Sequence, residues 1–321
     1  MPGHLHVVAA AIRNAAGEYL LTRRADHQHQ GGLWEFPGGK VEPGEAREAA
    51  LARELQEELG IAPLRARPLI GIPHAYADKR VFLDVWLVES FEGEPHPHEG
   101  QPMRWVPGAE LSQLAFPAAN RPILTALDLP GRYLITPEPD TDTPFLDHLE
   151  QALTAGIRLV QLRSHDLPEA ALEALAARAL ALVHRHGGRL LLNGDPALAR
   201  RVGADGVHLS AARLRSLHPE AVSALRTGPG AFLVAASCHD AAELSQAAAI
   251  GADFAVLAPV AATRTHPDAR PLGWDAFADL ARGTPLPVYA LGGMGEADLA
   301  VAQAHGAQGI AAIRALWPGA F

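Results

Sequence analysis

Between residues 133 and 313 the sequence alternates eight short apolar segments with alanine- and leucine-rich stretches, and this alternation restricts the fold more than any other feature. The segments are Tyr133-Leu-Ile-Thr, Leu159-Val-Gln-Leu, Leu190-Leu-Leu-Asn, Gly206-Val-His-Leu, Phe232-Leu-Val-Ala-Ala, Phe254-Ala-Val-Leu, Val288-Tyr-Ala-Leu and Gly309-Ile-Ala-Ala-Ile. Each reads as a buried strand and each intervening stretch as a helix. Three of the helix-to-strand turns repeat one signature, Gly203-Ala-Asp-Gly-Val, Gly251-Ala-Asp-Phe-Ala and Gly306-Ala-Gln-Gly-Ile, in which glycine ends a helix and the chain reverses. Eight βα units in so short a stretch fit a closed (βα)8 barrel better than an open doubly wound sheet.

The residues ahead of this pattern have a different character. Pro and Gly punctuation is dense at Leu127-Asp-Leu-Pro-Gly-Arg132, which places a boundary between a domain over 1–129 and one over 130–321. In the first, apolar alternation predicts strands over 6–13 and 81–88 and an amphipathic helix over 46–59, an α+β pattern beside the α/β pattern of the second. On that helix Glu54, Glu57 and Glu58 stand at i, i+3 and i+4, so their carboxylates gather on one side, beside an apolar stripe of Leu51, Leu55 and Leu59. Crowded carboxylates repel, and the arrangement calls for a cation; ligands that are all oxygen suit Mg²⁺ or Mn²⁺ rather than zinc. The glycine-rich lead-in Pro37-Gly38-Gly39 lets a backbone carbonyl, that of Gly38, approach the same ion, and Gly60 ends the helix.

Composition narrows the function classes. A net charge of −9 argues against binding polymeric nucleic acid, which needs a dense basic surface, but leaves room for a nucleotide held through a metal ion. Only Lys40 and Lys79 are lysines, so nothing later in the chain offers a Schiff-base amine. The most apolar stretch, around 244–263, is broken by Gly251, Asp253 and Pro259 and is too short for a membrane span, and the first residues lack a basic leader. With Cys238 the single cysteine, a cytoplasmic location and no membrane partner are expected; oligomeric state is not legible.

The segment from Gly39 through Glu45, Arg53-Glu54, Glu57-Glu58, Gly60 and Ile61 resembles the Nudix box at each of its fixed positions. That family folds as an α/β/α sandwich and cleaves nucleoside diphosphates linked to another moiety, using Mg²⁺ and a water nucleophile. The likeness extends over the first domain to MutT-type 8-oxo-dGTP diphosphatases, through Thr22-Arg-Arg24-Ala, Glu35-Phe36-Pro-Gly-Gly-Lys40, Val88-Glu-Ser-Phe-Glu-Gly-Glu-Pro, Glu99-Gly-Gln-Pro102, Trp105 and Phe116-Pro-Ala-Ala-Asn120. The resemblance implies a metal set of Glu54, Glu57, Glu58 and Glu99 and a nucleoside triphosphate substrate. It gives Asn120 to the oxidised guanine, Arg24 and Phe36 to the nucleotide, and Lys79 to the place of an arginine beside the phosphates. Arg53 orients carboxylates by bidentate pairing. The proton-accepting base is open among Glu54, Glu57 and Glu99, and His96 and His98 read as solvated loop residues.

The second domain resembles the thiamine phosphate synthase and TenI group, a TIM-barrel family that handles phosphorylated pyrimidines and thiazoles. The matching residues are Tyr133-Leu-Ile-Thr, Gln161-Leu-Arg163, Asn193, Gly203-Ala-Asp-Gly-Val-His208-Leu, Ser237-Cys-His239, Pro259, Thr263 and Leu291-Gly292-Gly293. Arg163, Asn193, Gly292 and Gly293 are the expected ligand site, the glycine pair as an anion-binding turn. The catalytic parts depart from the pattern. His165 stands where a synthase has lysine, Gly194 where it has a metal-binding aspartate, Ser210-Ala-Ala-Arg213 where it has Gly-Gln-x-Asp, and His266 where it has a second lysine. A degenerate barrel behind an active nucleotide hydrolase is therefore expected; the alternatives are a hydrolase of a thiamine-pathway diphosphate and a bifunctional enzyme.

Overall fold

The structure is a computed structural model that describes residues 4–25, 30–75, 80–139, 144–227, 231–263 and 269–319. Lys79 and His266 lie outside the described residues. The chain divides into two compact units, Met1–Asp128 with the turn Arg282–Pro285, and Leu129–Ala281 with Leu286–Phe321.

The first unit is a mixed sheet between helices. Its strands are β1 (His4–Arg13), β2 (Glu18–Arg23), β3 (Trp34–Glu35), β4 (Ala62–Ala75), β5 (Arg80–Glu92) and β6 (Met103–Pro107). They run in the order β3-β2-β1-β5-β4, with β6 also on β2; β1 and β5 are parallel and the other pairs antiparallel. Alternation along β1 divides the core. Val8, Ala10 and Ile12 face α1 (Arg47–Leu59), whose Leu51, Leu55 and Leu59 are buried, while Ala9 and Ala11 face the side closed by α2 (Arg121–Asp128). This is the α/β/α sandwich. Strand β4 has no counterpart in the sequence pattern because Pro63, Pro68, Pro73 and Gly71 interrupt it; it survives as an edge strand with register shifts at Pro63/Arg65, Arg65/Ala66 and Pro68/Ile70.

Helix α1 is pinned at both ends. At its start no side chain caps Ala46, but Arg47 reaches the buried Asp84 at 3.1 Å and lies 5.4 Å over the Trp86 ring. At its end Gly60 takes the left-handed conformation, φ +66°, which closes the helix with Gly60 N–H to Gln56 O at 3.1 Å and Ile61 N–H to Leu55 O at 3.4 Å.

The second unit is a closed parallel barrel. Its strands are β7 (Arg132–Ile135), β8 (Leu159–Leu162), β9 (Arg189–Asn193), β10 (Gly206–Leu209), β11 (Leu233–Cys238), β12 (Phe254–Leu257), β13 (Val288–Leu291) and β14 (Gly309–Ala312), each paired in parallel with the next and β14 with β7. Tyr133, Leu159, Leu191, Phe254, Val256 and Tyr289 fill the interior, while Leu134, Val160, Leu190, Leu192 and their neighbours meet the helices outside, so most strand residues are buried on both faces and the runs read as largely apolar. The units are not uniform. Between β10 and β11 there are two short helices, Ala211–Ser216 and Pro219–Leu225, and after β14 the described residues hold only a 3-10 turn, Arg314–Leu316.

The repeated turns have a common mechanism. Gly203, Gly251 and Gly306 all lie at φ between +73° and +82°, and two residues later a side chain ties the turn to a neighbouring strand entry. Asp205 accepts from Leu190 N–H and Asp253 from Val234 N–H, each at 2.7 Å, and Gln308 Nε2 donates to Leu129 O at 2.8 Å. These bonds satisfy backbone groups at the end of the barrel opposite its mouth.

Candidate active site of the first unit and the barrel mouth

The acid face of the first unit is assembled by the backbone of residues 35–39 running alongside α1. Val8 N–H donates to Gly39 O at 2.9 Å and Ala10 N–H to Pro37 O at 2.8 Å, so those carbonyls are committed to β1. Gly38, between them, turns its N–H to Glu58 Oε2 at 3.1 Å. No side chain fits here: a Cβ on Gly38 would stand 2.2 Å from Val8 O, and one on Gly39 2.2 Å from the Glu54 carboxylate.

Arg53 organises the carboxylates from below. Its Nε and Nη2 donate to the two oxygens of Glu45 at 2.9 and 3.0 Å, its Nη1 to Glu54 at 2.9 Å and to Glu57 at 3.3 Å, and Nη2 also to Lys40 O at 2.9 Å. Glu54 is largely buried and Glu57 mostly exposed. The loop before Glu99 is fastened to the end of α1: His96 N–H donates to Leu59 O and His98 N–H to Glu58 O, both at 3.0 Å, and His98 Nδ1 lies 3.1 Å from Glu57 O. These histidines satisfy the open carbonyls of the helix end.

Burial, together with the fields of Glu99, Glu54 and Glu35, pushes the Glu58 carboxyl up to about 7, against a smaller opposing pull from the Gly38 N–H. The carboxylates thus sense one another, yet among the described residues no three His, Cys, Asp or Glu groups converge closely enough to hold an ion as placed. The donor set nevertheless fits a hard divalent cation. It is all oxygen, it is mutually repulsive, and Gly38 and Gly39 let the backbone run directly against Glu58 and Glu54.

Glu35 was not among the residues that the sequence marked for this site. Burial raises its carboxyl, Arg24 opposes that rise, and the field of Glu99 adds to it, which places Glu35 in the same electrostatic cluster. A residue three before Gly-Gly in a two-residue strand carries no periodic signal. Arg24 Nε donates to Glu35 Oε2 at 2.5 Å. Phe36 is buried and stacks on Phe116 with ring centroids 5.7 Å apart. Four residues after Phe116, Asn120 is 8% exposed, and among the described residues its carboxamide has no hydrogen-bond partner.

The barrel opens at the C-terminal ends of its strands into a cavity of about 820 Å³, lined among others by Arg163, Asn193, Ser237, His239, Thr263 and Gly292. Gly293 is not among the lining residues. Beneath the cavity Gln161 Nε2 donates to Tyr133 Oη at 3.2 Å, Tyr133 Oη lies 3.1 Å from His208 Nδ1, and His208 Nε2 lies 2.8 Å from Ser237 Oγ. Complete burial pulls His208 down to about 3 and keeps it neutral. At the positions that depart from the synthase pattern, Arg163 Nε donates to His165 Nε2 at 3.0 Å. Gly194 stands at φ +111°, and the next residue, Asp195, caps a helix, accepting from Ala197 N–H at 2.7 Å and Leu198 N–H at 3.4 Å. Arg213 comes no nearer to that carboxylate than 3.9 Å.

The thiamine monophosphate synthase family model matches residues 132–316, more than half of the chain, and the NUDIX domain model matches residues 8–126. The chain belongs to the thiamine monophosphate synthase family and carries a Nudix hydrolase domain of the MutT kind ahead of it. Over 123 residues it is 42% identical to an 8-oxo-dGTP diphosphatase of Escherichia coli (strain K12), spanning 38% of this chain and 95% of that one. A CTP pyrophosphohydrolase of the same organism is 39% identical over 119 residues, 37% of this chain and 88% of its own. A protein of Aquifex aeolicus (strain VF5), provisionally named thiamine-phosphate synthase 2, is 37% identical over 187 residues, 58% of this chain and 97% of its own. No helix among the described residues is long and apolar enough to cross a membrane.

Proposed function

We propose that the first unit hydrolyses oxidised purine nucleoside triphosphates, converting 8-oxo-dGTP to 8-oxo-dGMP and pyrophosphate and so clearing a mutagenic precursor from the nucleotide pool. The observation that carries this reading is the occurrence in one unit of an oxygen-only acid face and, four residues after the Phe116 that stacks on Phe36, the buried residue Asn120. The first suits a triphosphate bound through a cation, and the second a purine edge that offers both a donor and an acceptor.

Glu54, Glu57, Glu58, Glu99 and the Gly38 carbonyl are the groups that would hold Mg²⁺ or Mn²⁺, which when bound supplies neutralisation of the triphosphate charge and a more acidic water. Arg53, committed to Glu45, fixes the direction of Glu54 and Glu57 and does not touch substrate. A free glutamate of the set accepts the proton of the attacking water, and the chain contributes position and charge without a covalent step. Arg24 and Phe36 contact the nucleotide. The cytoplasm is the expected location.

The barrel, in the same proposal, keeps a small-molecule cavity for a phosphorylated pyrimidine- or thiazole-like ligand but has lost thiamine phosphate synthesis. With Gly194 in place of a carboxylate and Asp195 engaged in capping, the described residues of the mouth offer no acid pair to stabilise a diphosphate leaving group. Steady-state turnover of 8-oxo-dGTP, dGTP, CTP and a pyrimidine or thiamine diphosphate by the full chain tests the whole reading. A strong preference for 8-oxo-dGTP is expected; faster turnover of CTP or of a thiamine-pathway diphosphate would replace the assigned substrate.

A further inference from the structure

Glu35 lies at the acid face but outside the set of carboxylates from α1 and Glu99. Strand register sets it opposite Thr22, so that Arg24, two residues further along the chain, meets it through Nε at 2.5 Å, with both side chains about a quarter to a third exposed. Three residues beyond Glu35, the Gly38 N–H binds Glu58 at 3.1 Å. One short stretch therefore connects the guanidinium of Arg24 to a carboxylate of the cation-holding set.

The fields agree with that geometry. Glu99 raises Glu35, and Glu35 in turn contributes to the rise of Glu58, although burial is the larger cause for both. The negative potential of the acid face thus extends to Arg24. A guanidinium on a long, flexible stem in such a field pairs readily with any carboxylate it can reach, and doing so would occupy the oxygens a divalent cation needs.

We propose that Glu35 is a positioning residue that restrains Arg24, holding its guanidinium on the nucleotide side and away from the carboxylates that take the cation. The inference rests on the reading of Glu54, Glu57, Glu58 and Glu99 as that cation-holding set. Glu35 itself is no ligand in this account; its charge acts through Arg24.

The test is Mn²⁺ binding to the full chain, followed by electron paramagnetic resonance of the free ion, with thermal melts confirming that each variant is folded. Glu35→Gln is expected to raise the apparent Kd by roughly tenfold, the scale of one charge-assisted hydrogen bond exchanged for another. Glu35→Asp is expected to recover part of the loss. The deciding measurement is Glu35→Gln in an Arg24→Gln background, where no guanidinium remains to compete and the second substitution should change Kd by less than about twofold. If the double variant binds as weakly as Glu35→Gln alone, Glu35 is a ligand and the inference fails; unchanged binding in Glu35→Gln overturns it as well. Failure of the underlying metal reading has a different signature, absence of Mn²⁺ binding in the wild-type chain, and takes this inference with it.

Discussion

The two units, each proposed to take a phosphorylated ligand, differ in the charge arrangement at their sites. In the first, carboxylates gather on one helix face, Glu54 and Glu57 tied by Arg53 and Glu58 by the Gly38 N–H, and burial with the fields of its acidic neighbours raises Glu58 to about 7. Among the described residues the lining of the barrel mouth includes no carboxylate and offers Arg163, His239 and polar side chains around 820 Å³ of space. Electrostatic self-repulsion is costly to a fold and persists only where a counter-charge repays it. Unit one bears that cost and the described part of the barrel mouth does not, and this difference underlies the separate roles proposed above for the two units.

The largest expected effect tests the costly side. Glu54→Gln keeps the shape of a largely buried side chain and removes a charge, so nucleotide hydrolysis should fall by roughly a thousandfold or more with the fold intact. Unchanged turnover would show that the crowded carboxylates are only a solvated helix face.

Next comes the uncharged side. The full chain given aminopyrimidine diphosphate, thiazole phosphate and Mg²⁺ should make no more thiamine phosphate than one equivalent per barrel. Gly194→Asp should not restore synthesis, because φ +111° is a conformation that aspartate adopts only with strain. Repeated turnover by the unmodified chain would make it bifunctional and remove the contrast between the units.

A smaller effect concerns specificity within the first unit. Asn120→Ala should weaken transition-state binding of 8-oxo-dGTP by about 1–3 kcal/mol more than that of dGTP, read as a ratio of kcat/KM values. Equal losses for the two nucleotides would make Asn120 a structural residue.

The subtlest effect is a pair of opposite pH slopes. Glu58 has its folded pKa raised to about 7 from 4.5, so between those values the folded unit holds more of a proton than the unfolded chain and its stability falls as pH rises. His208 has its folded pKa lowered from 6.5 to about 3, so between those values the unfolded chain holds more and barrel stability rises with pH. Melts of the full chain from pH 5 to 6.5, with Glu58→Gln and His208→Gln as references, should assign a falling component to the first and a rising one to the second. Mg²⁺ should offset the Glu58 component most at the higher pH, where the carboxylate is ionised.

Both architectures, and the helix that carries Glu54, Glu57 and Glu58, are legible in the sequence. Eight runs of buried residues, turns ended by glycine, and three glutamates at helical spacing are local signals, legible because 3.6-residue and buried-strand patterns are written in consecutive positions. Tertiary structure decided what depends on partners distant in the chain. Proline-broken β4 became a strand only because an edge tolerates missing donors. Glu35 joined the acid cluster through register with β2, and His98 closed the end of α1 from 41 residues away. Asp205, Asp253 and Gln308, which looked like turn punctuation, proved to be ties to neighbouring strand entries. The chain of contacts from Gln161 through Tyr133 and His208 to Ser237 joins four strands, and no spacing in one strand announces it. Hydrogen bonds between distant segments satisfy groups that burial strips of water, and which groups are so stripped is settled only when the chain closes on itself.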